Sequence, residues 1–530
     1  MKLQSFYIYK LPSSYLKRKG YDITLSLEDA RKSGLVVSLG DSQMLRSLRS
    51  LTGRSCDISE VSALYSSKRK PGSQLLDIEK RIDELLYVPQ VVSVEVEDIS
   101  HYKHLGINGF TLNGKRYRRL LCGAGNARRN VSLWIDENYE IPLKKLLNNG
   151  RSDVDIVPAK YSAYFALASS SGLPVSEPYF CVVKDYEEIR TERVDFITEI
   201  DGADDRVEPL DKNITFTPWD GQGLISPRLA TKWAEELGLD YVPSTFIIRA
   251  NFIKGMLAVM DFHKFSDEIG EHFIEDAWGN KINIRDMDVI LTQSQFKLWN
   301  AYESISSYIS NCRANSLGWS VTRYSPRRDA DYTFLNYQFV QALCLTDDQI
   351  SDLCTPTVEY LRNISKDDFT YSLLYLMGTR SESSSEDMLE KTRDPVTKAL
   401  MLRPELLSDP YVKHTLLRSI NKKIKESYIG NLAVRGHYTM MVNDPYAFME
   451  FIFGLEPRGL LARDEHFSSY WSDLGESHIT AMRAPLTWRS EVVTANLKTT
   501  PQTSRWYAYL TSCIVYNIHG VDCLLHGGSD

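Results

Sequence analysis

The sequence predicts a mixed α+β fold made of more than one domain, and three observations carry that expectation. The chain is 530 residues long, too long for a single hydrophobic core, so two to four domains are expected. In its first half, short β-prone runs bounded by Gly, Pro and Asn alternate with stretches of helical spacing. A largely helical region follows, and strand-like runs return near the end.

Composition narrows the function classes. The net charge of −7 gives no global attraction to a polyanion, so any nucleic acid must meet a local basic surface. The eight cysteines are scattered, with no C-x-x-C pair, which argues against a zinc ribbon or disulfide framework and for a reducing compartment. No apolar stretch approaches the ~20 residues of a membrane span. The segment Met1–Lys10 lacks the apolar run of a secretion signal. A cytoplasmic protein with no membrane partner is expected.

Taken in order, residues 1–178 read as a mixed α/β region. Phe6–Tyr9 is β-prone, and Ser26 is placed to cap a helix that ends at Gly34. Leu75, Ile78, Ile82 and Leu85 fall at helical spacing in a helix expected from Gln74 to Leu86, and Val91–Val96 is a strand. Two basic stretches follow, Lys115-Arg116-Tyr117-Arg118-Arg119 and Gly123–Asn130, which includes Arg128 and Arg129. A solvated strand and turn would account for them, and so would a surface that tracks phosphates while Tyr stacks a base. No G-x-G-x-x-G dinucleotide fingerprint is present.

Strands are expected at Phe180–Val183 and Val194–Ile197, then a Gly-bearing turn in Phe216–Pro227, with Ser226 capping a helix from Pro227 to Leu237. Ser244–Asp261 reads as strand and carries Arg249 and Lys254-Gly255 between apolar runs. Two cations in a buried-looking strand call for a reason, although an edge strand with snorkelling side chains would also serve. Residues 290–428 read as largely helical, with helical spacing from Gln293 to Ile309 and interruptions at Pro404 and Pro410. Thr379–Glu386 is a polar loop, and strands return in Asn431–Val442 and at Ile514–Tyr516. His519-x₃-Cys523-x₂-His526 lacks a fourth ligand and is not read as a metal centre, and His263 and His437 read as structural.

One resemblance gathers these pieces. Asp220-Gly-Gln-Gly223 with Ile225-Ser226, Pro243-Ser244, Arg249 and Lys254-Gly255 are followed by Gly430-Asn-Leu432, Arg435-Gly436, Asp444-Pro-Tyr446 and Arg483-Ala-Pro485, and Asp530 ends the sequence. In order and spacing they resemble the two-barrel RNA polymerases, in which two double-psi β-barrels face one active site. The likeness is strongest to the single-chain polymerases of phages and prophages, including the crAss-like phage type. It extends to the RNA-dependent polymerases of eukaryotic RNA silencing. The resemblance implies an N-terminal region at 1–178 that binds template, a first double-psi β-barrel at 179–290, a helical connector at 291–428 and an incomplete second barrel at 429–530.

It also implies roles. Lys254 would point at the nucleoside triphosphate and Arg483 would face the nucleotide sugar. Asp530 would open an Asp-x-Asp-Gly-Asp loop whose carboxylates hold catalytic Mg²⁺, the hard cation that carboxylate oxygens suit. Arg116, Arg118, Arg119, Arg128, Arg129 and Arg249 are the candidate nucleic-acid contacts. The implied activity is template-directed RNA synthesis by a single-chain nucleotidyltransferase, with DNA or RNA template, nucleoside triphosphates and RNA product as partners, in the bacterial host cytoplasm. Because the remaining carboxylates of the loop do not follow Asp530, the chain is expected to be a truncated, inactive piece of that enzyme. An RNA-templated polymerase of the same fold is the alternative, as is a non-catalytic nucleic-acid-binding relative if the gene ends at this position.

Overall fold

The computed structural model describes residues 5–53, 60–61, 63–64, 67, 75–151, 157–198, 206–366, 368–377, 394–482 and 492–519. The chain forms two compact units, neither continuous in sequence: Met1–Arg327 with Met441–Ser469 and Thr499–Asp530, and Arg328–Met440 with Tyr470–Lys498. Both contain helices and strands in an α+β arrangement.

In the larger unit the N-terminal region folds around a seven-stranded sheet. Its order is Asp22–Ile23, Phe110–Leu112, Lys115–Leu121, Val131–Asp136, Tyr87–Glu95, Ser5–Pro12 and Val36–Gly40. Alternation along Ser5–Pro12 sends Tyr9 and Leu11 to one core and Phe6 and Ile8 to another. The second core is continuous with the next sheet. The expected local signals hold: Ser26 caps the helix Leu27–Lys32 by accepting from Asp29 N at 3.0 Å, and the helix Leu75–Leu86 runs directly into the strand Tyr87–Glu95, which begins before the expected Val91.

A second seven-stranded sheet forms the middle of the unit, in the order Leu173–Val175, Trp319–Tyr324, Thr245–Ala250, Ile253–Val259, Gln222–Ile225, Val289–Thr292 and Phe180–Val183. Gln222–Ile225 runs parallel to Ile253–Val259, and Val289–Thr292 parallel to Phe180–Val183. Ser226 caps the intervening helix Pro227–Glu236, which buries Leu229, Ala230, Trp233 and Ala234. A long hairpin, Glu188–Thr198 with Arg206–Phe216, is inserted between two of the strands.

Two features differ from expectation. Ser244–Asp261 is not one strand but a hairpin, turning at Asn251-Phe252 with Phe252 at φ 60°. A non-glycine residue there costs about 1–2 kcal/mol. The turn is held because Phe252 is buried and Asn251 is anchored on both sides, donating to Leu147 O at 2.8 Å and accepting from Tyr308 Oη at 2.6 Å. Nor does a helix begin at Gln293. Residues 293–298 make turns, a short 3-10 helix follows at Trp299–Ala301, the helix Ile305–Ala314 starts after the N-cap Ser304, and Trp319–Tyr324 returns to the sheet.

Also in this unit, Met441–Asn443 pairs in parallel with Ile514–Tyr516, which pairs antiparallel with Glu465–Phe467. The smaller unit packs the helices Asp347–Ser365, Phe369–Met377, Pro395–Leu402 and Pro410–Ser427 around Leu361, Leu400, Leu416 and Ile420. Pro404 opens the short 3-10 turn Pro404–Ser408 and Pro410 starts the last helix behind the cap Asp409, which explains the two interruptions read in the sequence. No helix among the described residues is long and apolar enough to cross a membrane.

Candidate active site

The turn at Asn251-Phe252 makes Arg249 and Lys254 direct cross-strand partners. Residues opposite one another on antiparallel strands present their side chains on one face, with Cβ atoms about 4.5–5.5 Å apart, and like charges there repel. Both side chains are half-buried, on strands that are otherwise mostly buried. One Arg249 Nη donates to Ile248 O at 2.7 Å, which fixes one edge of the guanidinium. A pair of adjacent cations in a sheet can hold the oxygens of a polyphosphate.

The glycines of the two motifs serve the packing beneath this pair. Gln295, fully buried, donates through Nε2 to Gly221 O at 3.1 Å and Met256 O at 3.0 Å, while its Oε1 accepts from Thr292 N at 3.2 Å. A Cβ on Gly255, which lies at φ 151°, would overlap the Gly221 carbonyl oxygen and come within 2.5 Å of Gln295 Nε2. One on Gly223 would overlap Ile290 O and lie 2.5 Å from Gln295 Oε1. The strand ends can cross this closely only without side chains. Lys254 N donates to Gln295 O at 3.1 Å, so the same glutamine residue fixes the lysine backbone.

The Asp220-Gly-Gln-Gly223 loop is fastened to the segment around Asp444. The Gln222 amide donates to Asn443 O at 2.7 Å and accepts from Asn443 N at 2.9 Å, a complete pairing with a strand backbone. Trp219 donates to Asp444 O at 3.1 Å and stacks on Phe448 at 5.1 Å. Asn443 Nδ2 also donates to Pro218 O. Ser244 Oγ accepts from Thr511 N at 2.9 Å and Ser512 N at 3.0 Å, joining the other sheet motif to the final strand region.

Asp444 is a structural carboxylate. It is fully buried, caps the helix Pro445–Ile452 through Tyr446 N and Ala447 N, and accepts from Tyr507 Oη at 2.7 Å and Leu460 N at 2.9 Å. Burial raises its pKa, opposed by these four donors. Asp185 is the other perturbed carboxyl near the motifs. Burial raises it most and Asp220 adds to that, while hydrogen bonds from Ser294 and the charge of Lys297 act against them. Gln295, Asp185 and Lys297 were not singled out by the sequence. The one signal for Gln295 was a polar run, Thr292–Gln295, at the end of an apolar strand.

The N-terminal arginines divide into two sets. Arg116 and Arg118 are on the strand Lys115–Leu121. Arg116 donates to Asn108 O at 3.0 Å and Arg118 to Ile107 O at 2.8 Å, both at the C-terminal end of the helix Ile99–Asn108; Arg118 also pairs with Glu137 at 3.3 Å. These guanidiniums satisfy helix-end carbonyls. Arg119, Arg128 and Arg129 are exposed. Arg483 and Asp530, expected at the sugar and the metal, lie outside the described residues, as do Thr379–Glu386, Cys523 and His526. Among the described residues no group of three or more His, Cys, Asp or Glu side chains is placed to hold a metal ion.

A sequence model of the RNA dependent RNA polymerase family matches residues 78–522. The DNA-directed RNA polymerase YonO of Bacillus phage SPbeta is 28% identical over 428 residues, covering 78% of this chain and 47% of that protein. The solved structure of the RNA dependent RNA polymerase QDE-1 from Thielavia terrestris has a TM-score of 0.49 at 15% identity, over 81% of this chain and 46% of that one. The chain spans about half the length of the relatives it matches. The family and the phage relative bear out the resemblance drawn from the motifs.

Proposed function

From the premise that the chain belongs to the RNA dependent RNA polymerase family, we propose that it is a nucleotidyltransferase for template-directed RNA synthesis, with its catalytic hairpin at Arg249–Lys254. The observation that carries this reading is the cross-strand Arg249–Lys254 pair, seated on the glycine crossing around Gln295. Its two adjacent cations suit the triphosphate of an incoming nucleotide: Lys254 as a point charge, Arg249 as a planar donor fork. In water-poor surroundings, fixed donors of this kind stabilise charge that develops on a departing pyrophosphate.

In this reading Gln222 and Trp219 act as positioning residues. They fix the signature loop to the Asn443–Asp444 segment, so that the lysine keeps one height above the sheet. Arg483 is assigned to the nucleotide sugar, and Arg119, Arg128 and Arg129 to nucleic-acid phosphates. The family's chemistry implies a divalent metal, which lowers the pKa of an attacking hydroxyl. Mg²⁺ with Asp530 among its ligands is the proposal, while the described residues contain no such site. The first double-psi barrel is assigned to the seven-stranded sheet that carries the hairpin, and the second to the sheet containing Ile514–Tyr516. A single chain acting in the cytoplasm completes the proposal.

DNA is the proposed template, on the strength of the phage relative's activity, and the family's own description favours RNA as the second reading. Primer-independent synthesis on single-stranded DNA and RNA of identical sequence, with Mg²⁺ and all four nucleoside triphosphates, tests both. Product on DNA supports the first, product on RNA alone the second, and binding of both without synthesis under any metal, by a protein that carries the complete carboxylate loop, would overturn the enzymatic reading.

A further inference from the structure

The N-terminal region holds a pocket of about 280 Å³ that the hairpin chemistry does not use. Its floor is apolar and buried, formed by Leu120, Leu121 and Phe165. One wall is Tyr161, held in place by its hydroxyl, which donates to Asn148 Oδ1 at 2.5 Å, and by the Arg151 guanidinium 4.5 Å from its ring centroid. The rim carries Arg119, Lys144 and the exposed Ser162. Lys144 pairs with Glu140 at 2.6 Å, but its side chain remains 44% exposed, so this bond exchanges readily for a stronger anion.

We propose that this pocket binds one nucleotide, with the base on the Leu121–Phe165 floor against Tyr161 and the phosphate between Arg119 and Lys144. An apolar floor beside an aromatic wall accepts any base by its π-face, and two rim cations select for phosphate. The volume suits one unstacked nucleotide and excludes a base pair. A free nucleotide and one unit of a single strand present the same chemistry. The strand Lys115–Leu121 with the adjoining Cys122, and the helices Glu137–Asn148 and Pro158–Phe165, supply the whole site, so it forms without any residue of the Arg249–Lys254 hairpin.

The test uses the full chain without nucleotide addition, so failure of the polymerase reading leaves its signal intact. Fluorescence anisotropy is followed with a labelled 12-nucleotide single-stranded RNA and, separately, with a fluorescent AMP analogue. Arg119→Ala/Lys144→Ala is expected to weaken binding about tenfold or more. For the strand it should also flatten the slope of log K against log salt by about 0.7, the value for the one phosphate held between the two cations. Ser162→Trp, a change at an exposed position that fills the pocket, is expected to weaken binding about tenfold with the salt slope unchanged. Thermal melting confirms that both variants fold. Loss confined to the RNA assigns the pocket to a strand, and loss with the AMP analogue assigns it to a free nucleotide. Parent and variants within twofold of one another on both probes overturn the proposal. So does loss in the double variant without loss in Ser162→Trp, which would mean an open basic surface and no pocket.

Discussion

Replacing Gly255 by alanine tests whether the motif glycine is there for close approach. The substitution adds one Cβ that overlaps the Gly221 carbonyl oxygen and lies within 2.5 Å of Gln295 Nε2, at a backbone φ of 151°. A side chain in that sparsely populated region costs about 1–3 kcal/mol, and forcing an extra carbon into packed surroundings costs about 1–3 kcal/mol more. The expected loss is therefore about 2–6 kcal/mol, a large part of the 5–15 kcal/mol typical of a folded domain. Gly270→Ala is the matched control. Its φ is 71° but a Cβ there meets nothing within 4 Å, so only backbone strain of about 1–2 kcal/mol applies. Urea unfolding of both variants, followed by tryptophan fluorescence, gives the comparison. The reasoning is refuted if Gly255→Ala lowers the midpoint no more than Gly270→Ala does.

Two further outcomes follow from the same region. Gln222→Leu leaves both the N–H and the C=O of Asn443 without their amide partner; at about 1–3 kcal/mol for each buried group the expected cost is about 2–6 kcal/mol, checked by the same unfolding curves. Asp185 has its pKa raised mainly by burial, so the folded state binds that proton more tightly than the unfolded chain, and the wild type gains stability as pH falls from neutral towards the raised value. Asp185→Asn keeps an acceptor for Ser294 without the charge, so its advantage in urea midpoint at pH 7.5 should shrink at pH 5; an unchanged difference would show that Asp185 does not titrate in this window.

The parts of the fold legible in the sequence were those with local causes. Ser26 and Ser226 cap helices because a side-chain oxygen meets free N–H groups nearby, and Pro227 at the first helical position marks the second of these boundaries. The hairpin turn was not legible. Asn251-Phe252 has neither glycine nor proline, and its left-handed Phe252 is held by tertiary anchors at Leu147 and Tyr308, more than fifty residues away in either direction. Without that turn Arg249 and Lys254 are two cations five positions apart; with it they are neighbours. The glycines were visible as a motif, but their reason lies in Gln295, about forty residues past Gly255, where the polar run read as the start of a helix. Arg116 and Arg118 read as a basic stretch because charge is visible in a sequence, whereas the helix-end carbonyls they satisfy are not.

The most direct test of the account is single-nucleotide addition by the active protein carrying Lys254→Ala, with template binding measured in parallel. If Lys254 meets the triphosphate, addition falls by about a hundredfold or more, the scale of losing one fixed donor to developing charge, while template affinity stays within threefold. Equal loss of both, or no loss of either, would contradict the assignment of the Arg249–Lys254 hairpin as the catalytic element.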